Sequence, residues 1–165
     1  MRRNELTAAA AIFLLVTLWP FANAQEEKDH GRWVSAWSTA IHAPLPFPGL
    51  PPSTVLENQT IRMVVRPTIG GERLLIRFSN ANGSSVLQIG AAHVALVDHG
   101  SSILSASDHP LTFGGLSSVK VPIGASMLSD PVGMKVPPFH EVSVSIFLPQ
   151  RAAASTEHYW AQHET

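Results

Sequence analysis

The 165-residue chain has no cysteine, so disulfide bonds, zinc–thiolate sites and thiol redox chemistry are excluded and the fold stands on packing alone. Charge is scarce as well. Asp, Glu, Lys and Arg make up 14% of the residues and sum to −1, which gives no global field to draw in nucleic acid or an anionic membrane. Long apolar runs are also lacking: the one candidate, Leu6–Leu18, spans 13 residues before Pro20, short of the roughly 20 that a membrane-spanning helix needs. That run has instead the layout of an export signal. Arg2 and Arg3 supply a basic start, and Ala22-Asn23-Ala24 a small-x-small site, so cleavage is expected between Ala24 and Gln25. The product would be periplasmic or extracellular, with no stable membrane span. The residues after Arg3 favour the general secretory route over the twin-arginine one.

A sustained 3.6-residue period is missing too, whereas period two runs through most of residues 54–148. Gln25–Arg32 is polar and reads as a flexible start. Trp33–Trp37 alternates large and small residues as a first strand does. Ile41–Pro52 carries five prolines, which exclude helix and central strand, so this stretch is expected to be a loop or edge wrap. Ile61, Met63 and Val65 fall on one face, and Leu74, Ile76 and Phe78 repeat that face after Gly70-Gly71. The pattern predicts a half-buried hairpin opening a β-meander over Thr60–Ala95. Further strands are expected at Val86–Ile89, Ala91–Val97, Leu111–Phe113, Ser118–Pro122, Val132–Val136 and Val142–Leu148. Short strands at this spacing, punctuated by glycine and proline, predict an all-β, two-sheet antiparallel sandwich of jelly-roll type. The domain limits follow: signal 1–24, flexible N-terminus 25–32, sandwich 33–149 and linker 150–165. Ala152–Ala161 has good helix formers but is too short to stand as an isolated helix.

Catalytic chemistry is hard to find. A serine hydrolase needs a nucleophile at a turn, a histidine base and an orienting carboxylate. Neither G-x-S-x-G nor Gly-Asp-Ser occurs, and Gly124-Ala125-Ser126 is followed by Leu at 128. Ser107-Asp108-His109 holds the three residue types, but as chain neighbours whose side chains diverge; it reads as a surface turn. The eight histidines show no His-x-His or His-x3-His pair, and His93 reads as a half-buried strand residue satisfied by a backbone partner. No cofactor or metal is implied.

Two groups point to binding. If the hairpin forms, Arg66 faces Arg73 and Arg62 faces Arg77, placing four cations on one face, where like charges directly opposite are unfavourable. The plainer reading is a solvated face neutralised by Glu57, Glu72 or Glu141. The sharper one is a contact with another domain or a ligand. Trp33, Trp37, Tyr159 and Trp160 offer packing surfaces or sugar-stacking platforms.

Several segments occur together in order: Trp33-Val-Ser-Ala-Trp-Ser-Thr39, Thr60-Ile61-Arg62, Gly70-Gly71-Glu72-Arg73, Arg77-Phe78-Ser79-Asn80, Gly90–Ala95, Leu111–Gly115 and Ser129-Asp130-Pro131. This series resembles the N-terminal half of secreted SGNH (GDSL-type) ester hydrolases. The resemblance implies a β-rich accessory domain without a catalytic residue of its own, whose partner is a following α/β/α domain that supplies the serine, the oxyanion-hole donors and the Asp-His pair. The stretch up to Thr165 reads as the connector to that domain. The alternative is a free-standing β-sandwich module for a glycan or cell-surface partner, with neither reading implying nucleic acid.

Overall fold

Alternating sequences need neighbours to complete their ladders, and here every strand finds an antiparallel one. The computed structural model describes residues 32–44 and 55–155 of the chain. They contain twelve strands: β1 (Val55–Leu56), β2 (Gln59–Val65), β3 (Gly71–Leu74), β4 (Arg77–Ser79), β5 (Leu87–Ile89), β6 (Ala91–Leu96), β7 (His109–Pro110), β8 (Val119–Val121), β9 (Ser126–Leu128), β10 (Val132–Val136), β11 (Val142–Leu148) and β12 (Ala152–Ala153). The unit from Ser35 onward holds all of them, and Arg32–Val34 belong to a separate one.

The largest sheet has the order β2-β11-β6-β7, with β11 paired along both edges. Val142–Leu148 runs in unbroken register against Val65–Gln59 on one side, and Val142–Phe147 against Leu96–Ala91 on the other. The remaining ladders are the short pairs β3–β10, β4–β9, β5–β8 and β1–β12. Two bent ribbons connect these layers. One pairs residues 59–79 with 126–148, and the other pairs 87–96 with 109–121, each passing from the four-stranded sheet into the short pairs. The result is an all-β antiparallel architecture of the sandwich, jelly-roll kind, as the spacing of short strands predicts.

The core lies between the two layers. Val142, Val144, Ile146 and Leu148 of β11 are all at most 7% exposed and form one cluster with Phe78, Ile89, Val121, Met134 and Val136 from the short pairs. Each such side chain contributes about 1.5–3 kcal/mol by leaving water. Phe78 and Phe113 meet edge to face, with ring centroids 5.7 Å apart.

Several local expectations give way. The hairpin between Ile61 and Phe78 does not form, because β2 pairs with β11 while β3 and β4 pair with β10 and β9. Period two defines which face is buried and leaves the partner open. The Pro67–Gly70 connection arches between layers beside the Pro137–Phe139 connection: the Phe139 N–H donates to the Pro67 carbonyl at 2.8 Å, and a Cβ on Gly70 would lie 2.7 Å from the Val136 carbonyl. Trp33–Trp37 forms no strand, and Leu111–Phe113 contributes one isolated bridge, Phe113 to Leu116. Ala152–Ala153 is a strand on β1 rather than linker, so the fold extends past residue 149. The signal with its Ala24–Gln25 junction, most of the proline-rich stretch, and the tail with Tyr159 and Trp160 lie outside the described residues.

Side chains close the short pairs where ladders break. Between Arg77↔Leu128 and Leu74↔Val132, two residues oppose three, a β-bulge. Ser129 bridges it: its N–H donates to the Ile76 carbonyl at 2.8 Å and its Oγ accepts from the Ile76 N–H at 3.0 Å. Next to it, the Asp130 carboxylate accepts from Thr112 Oγ1 (2.6 Å) and from the N–H groups of Gly114 (2.9 Å) and Gly115 (2.8 Å). These three donors hold its pKa below the ordinary carboxylate value, the Thr112 hydroxyl most of all. Asn80, 4% exposed, donates its amide to the carbonyls of Ser85, Val121 and Pro122.

Candidate functional site on the outer face of the central sheet

The residues of β11 that alternate with its core valines are Ser143, Ser145 and Phe147, and they face away from the sandwich interior. Register places Ser145 between Arg62 on β2 and His93 on β6, and Ser143 between Val64 and Ala95. Small side chains at Ala91, Ala95, Ser143 and Ser145 leave the middle of this face low. Ile103, bridged back to Val97, contributes a wall, and the resulting concavity holds about 270 Å³.

Polar groups cross it in a row. Arg62 donates through Nε to Ser145 Oγ at 3.0 Å and through Nη1 to the Ser101 carbonyl at 2.8 Å. Beyond Ser145, His93 Nδ1 lies 3.1 and 3.2 Å from the two carboxylate oxygens of Asp108. Asp108 is brought there by the short 3-10 turn Ser105–Ser107 ahead of β7, itself fixed by Ser107 Oγ, which accepts from the Leu96 N–H at 2.8 Å. At the floor, Ser143 is 2% exposed and its Oγ is buried without a hydrogen-bond partner.

A serine facing a histidine backed by a carboxylate has the residue types of a hydrolytic triad. Its setting differs in what catalysis requires most. Acyl transfer needs backbone or side-chain donors aimed at the developing oxyanion. β11 is paired on both edges, so its N–H groups are spent on ladders. Ser145 Oγ also already accepts from the Arg62 guanidinium.

No protein-family model and no curated protein matches this chain.

The four arginines end in four different places. Arg62 lines the concavity, Arg66 pairs with Glu141 at 2.6 Å, Arg73 lies opposite Gly133 of β10, and Arg77 lies opposite Leu128 of β9. They make no single cationic face, because β2 and β3 are in different ladders. Glu72 pairs with Lys135 at 3.6 Å rather than with an arginine of the expected set. Asp108 turns to His93, 15 residues away, and not to its neighbours Ser107 and His109. His93 is exposed and held by a carboxylate, where a backbone partner is the sequence expectation. Among the described residues, no three His, Asp or Glu side chains converge as a metal-ligand set. Trp33 and Trp37 are both about half exposed.

Ser143 and Ser145 are absent from the sequence reading of candidate residues. The signal for them is there: serines alternating with buried valines, opposite an Ala-x-His-x-Ala strand, mark a sheet face with space above it.

Proposed function

We propose that this chain is a non-catalytic accessory domain of an exported SGNH-type ester hydrolase, packing against a catalytic domain and shaping its entrance. The observation that carries this reading is where the residues behind the resemblance sit. Gly70-Gly71 stands at the arch between layers, Asn80 at the turn stitched to Val121 and Pro122, and Ser129-Asp130 at the bulge tied to Thr112, Gly114 and Gly115. These are joints, the positions at which a particular sandwich is distinguished from others with the same alternation.

A docking point for the partner domain is offered by the arch. Phe139 is 66% exposed and holds φ +61°, and Ile69 on the adjoining connection is 49% exposed. A bulky residue in the left-handed region costs about 1–2 kcal/mol, and backbone strain of this kind persists where a function keeps it. Asn tolerates the same backbone.

Purified chain should hydrolyse p-nitrophenyl butyrate no faster than a heat-killed control. DNA downstream should encode a Gly-Asp-Ser-bearing domain that co-elutes with this one. Phe139→Asn should leave the melting temperature unchanged or raised while weakening co-elution about tenfold or more, the loss expected for an interface anchor. Hydrolysis abolished by Ser145→Ala would sink the reading, as would a genome with no such domain. The concavity favours a second reading, a free-standing binding module, which the latter outcome would promote.

A further inference from the structure

We propose that the concavity on the outer face of the β2-β11-β6-β7 sheet is a binding site for a small monocarboxylate with a short aliphatic tail. Three independent features converge on this chemistry. The first is the state of Arg62. A guanidinium has five N–H donors, of which one is used on Ser145 and one on the Ser101 carbonyl, and no carboxylate among the described residues pairs with it. Those two bonds fix the plane of the group and leave three donors for a ligand, the arrangement suited to a planar, bidentate carboxylate.

The second is the Ser143 hydroxyl. Buried polar groups are nearly always satisfied, and one that is not asks for an explanation. Its alternation with Val142 and Val144 puts it on the concavity side of β11, where it lines the floor. The Oγ is closed to solvent in the free chain, so a ligand oxygen would satisfy it only as the side chains lining the concavity part on binding. The third is the rest of the lining: Ala91, Ala95, Ile103 and Phe147 are apolar, and about 270 Å³ falls just under the roughly 300–1,000 Å³ of drug-sized ligand sites. The space suits a few carbons.

Orientation follows from charge. Arg62 and His93 sit on strands two spacings apart, about 10 Å, and Asp108 lies beyond His93. A carboxylate is drawn to the Arg62 side and repelled from the Asp108 side, so the tail lies toward the apolar lining. The site needs only this chain. That an ester hydrolase releases the same class of molecule links it to the proposed accessory role, and that link, unlike the binding, rests on the accessory-domain reading.

The test is titration of the isotopically labelled chain with sodium butyrate, followed by amide chemical shifts, with 1-butanol and galacturonate as controls. Saturable shifts are expected on Arg62, His93 and Ser143–Phe147, with no saturation by butanol, which lacks the carboxylate, and weaker binding of galacturonate, which lacks the tail. Arg62→Gln should weaken butyrate binding about tenfold or more, as loss of a charge-assisted bond does. Ser143→Ala separates binding from folding: removing an unsatisfied hydroxyl should raise the melting temperature of the free chain while weakening butyrate binding severalfold. Three results would overturn the proposal: no saturable shift with butyrate, wild-type affinity in Arg62→Gln, or a stabilised Ser143→Ala that binds unchanged. Tighter binding of galacturonate than of butyrate would overturn the assigned tail.

Discussion

The two layers of this sandwich are built by different means. In the four-stranded sheet, β11 runs through seven residues of continuous register against β2 and six against β6, and backbone ladders do the holding. In the facing layer no ladder joins more than two strands, and the pairs are short or interrupted by bulges. There the work passes to side chains: Asn80 to three carbonyls, Ser129 across the bulge, Asp130 to the Thr112–Gly115 turn. Ladders tolerate sequence change at any one position, because every residue supplies the same two groups. Side-chain stitches do not, because one residue answers for several backbone groups.

The largest test of this contrast lies in the apolar contact that both layers share. Leu148 is 2% exposed at the end of β11, and Leu148→Ala should cost about 2–5 kcal/mol in urea unfolding. A cost under 1 kcal/mol would mean that the layers are not packed as one core. Next comes Asn80, which carries no apolar burden. Asn80→Asp keeps the shape but turns a donor into an acceptor facing the carbonyls of Ser85, Val121 and Pro122, and should cost about 1–3 kcal/mol. By contrast, Ser145→Ala in the ladder-held sheet removes one hydrogen bond, from the exposed Arg62 guanidinium to a half-buried hydroxyl, and should cost about 1 kcal/mol or less. If Asn80→Asp proved as mild as Ser145→Ala, the difference between the layers would be one of appearance alone.

The same division explains what could be read from the sequence. β10 and β11 begin and end where alternation says, because a run of five or seven residues with one buried face leaves little choice of limits. β9 was not legible: Ser126–Leu128 has three residues and one inward side chain, Met127, too few to show a period. Ala152–Ala153 carries no pattern at all and is a strand only because Val55–Leu56 lies beside it. The predicted hairpin failed for a related reason, since alternation in residues 61–65 and 74–78 says which side is buried and is silent about which ladder each joins. The candidate site shared that fate. Arg62 is expected on one face with Arg66, Arg73 and Arg77, but Arg73 and Arg77 lie in other ladders and Arg66 pairs with Glu141, while Ser145, His93 and Asp108 come to Arg62 from three further segments of chain.

The last test is read from how an effect changes in acid, and it probes the stitched layer at one atom group. Asp130 has its carboxyl pKa held below the ordinary 3.8 by the Thr112 hydroxyl and the Gly115 and Gly114 N–H groups. A carboxylate whose folded value is depressed stabilises the fold above the unfolded value, and that contribution is lost as pH falls through the folded value. Asp130→Asn removes the charge those three donors face, so its deficit relative to the unsubstituted chain should be fully present at neutral pH. The gap should close as pH falls from about 5 through the lowered value, where the native carboxyl is itself protonated. Melting temperatures of both chains across that range decide the matter. Parallel curves down to the acid limit would mean that the Thr112–Gly115 turn is held by its glycines, Gly114 at φ +60° and Gly115 at φ +82°, and not by the carboxylate beneath it.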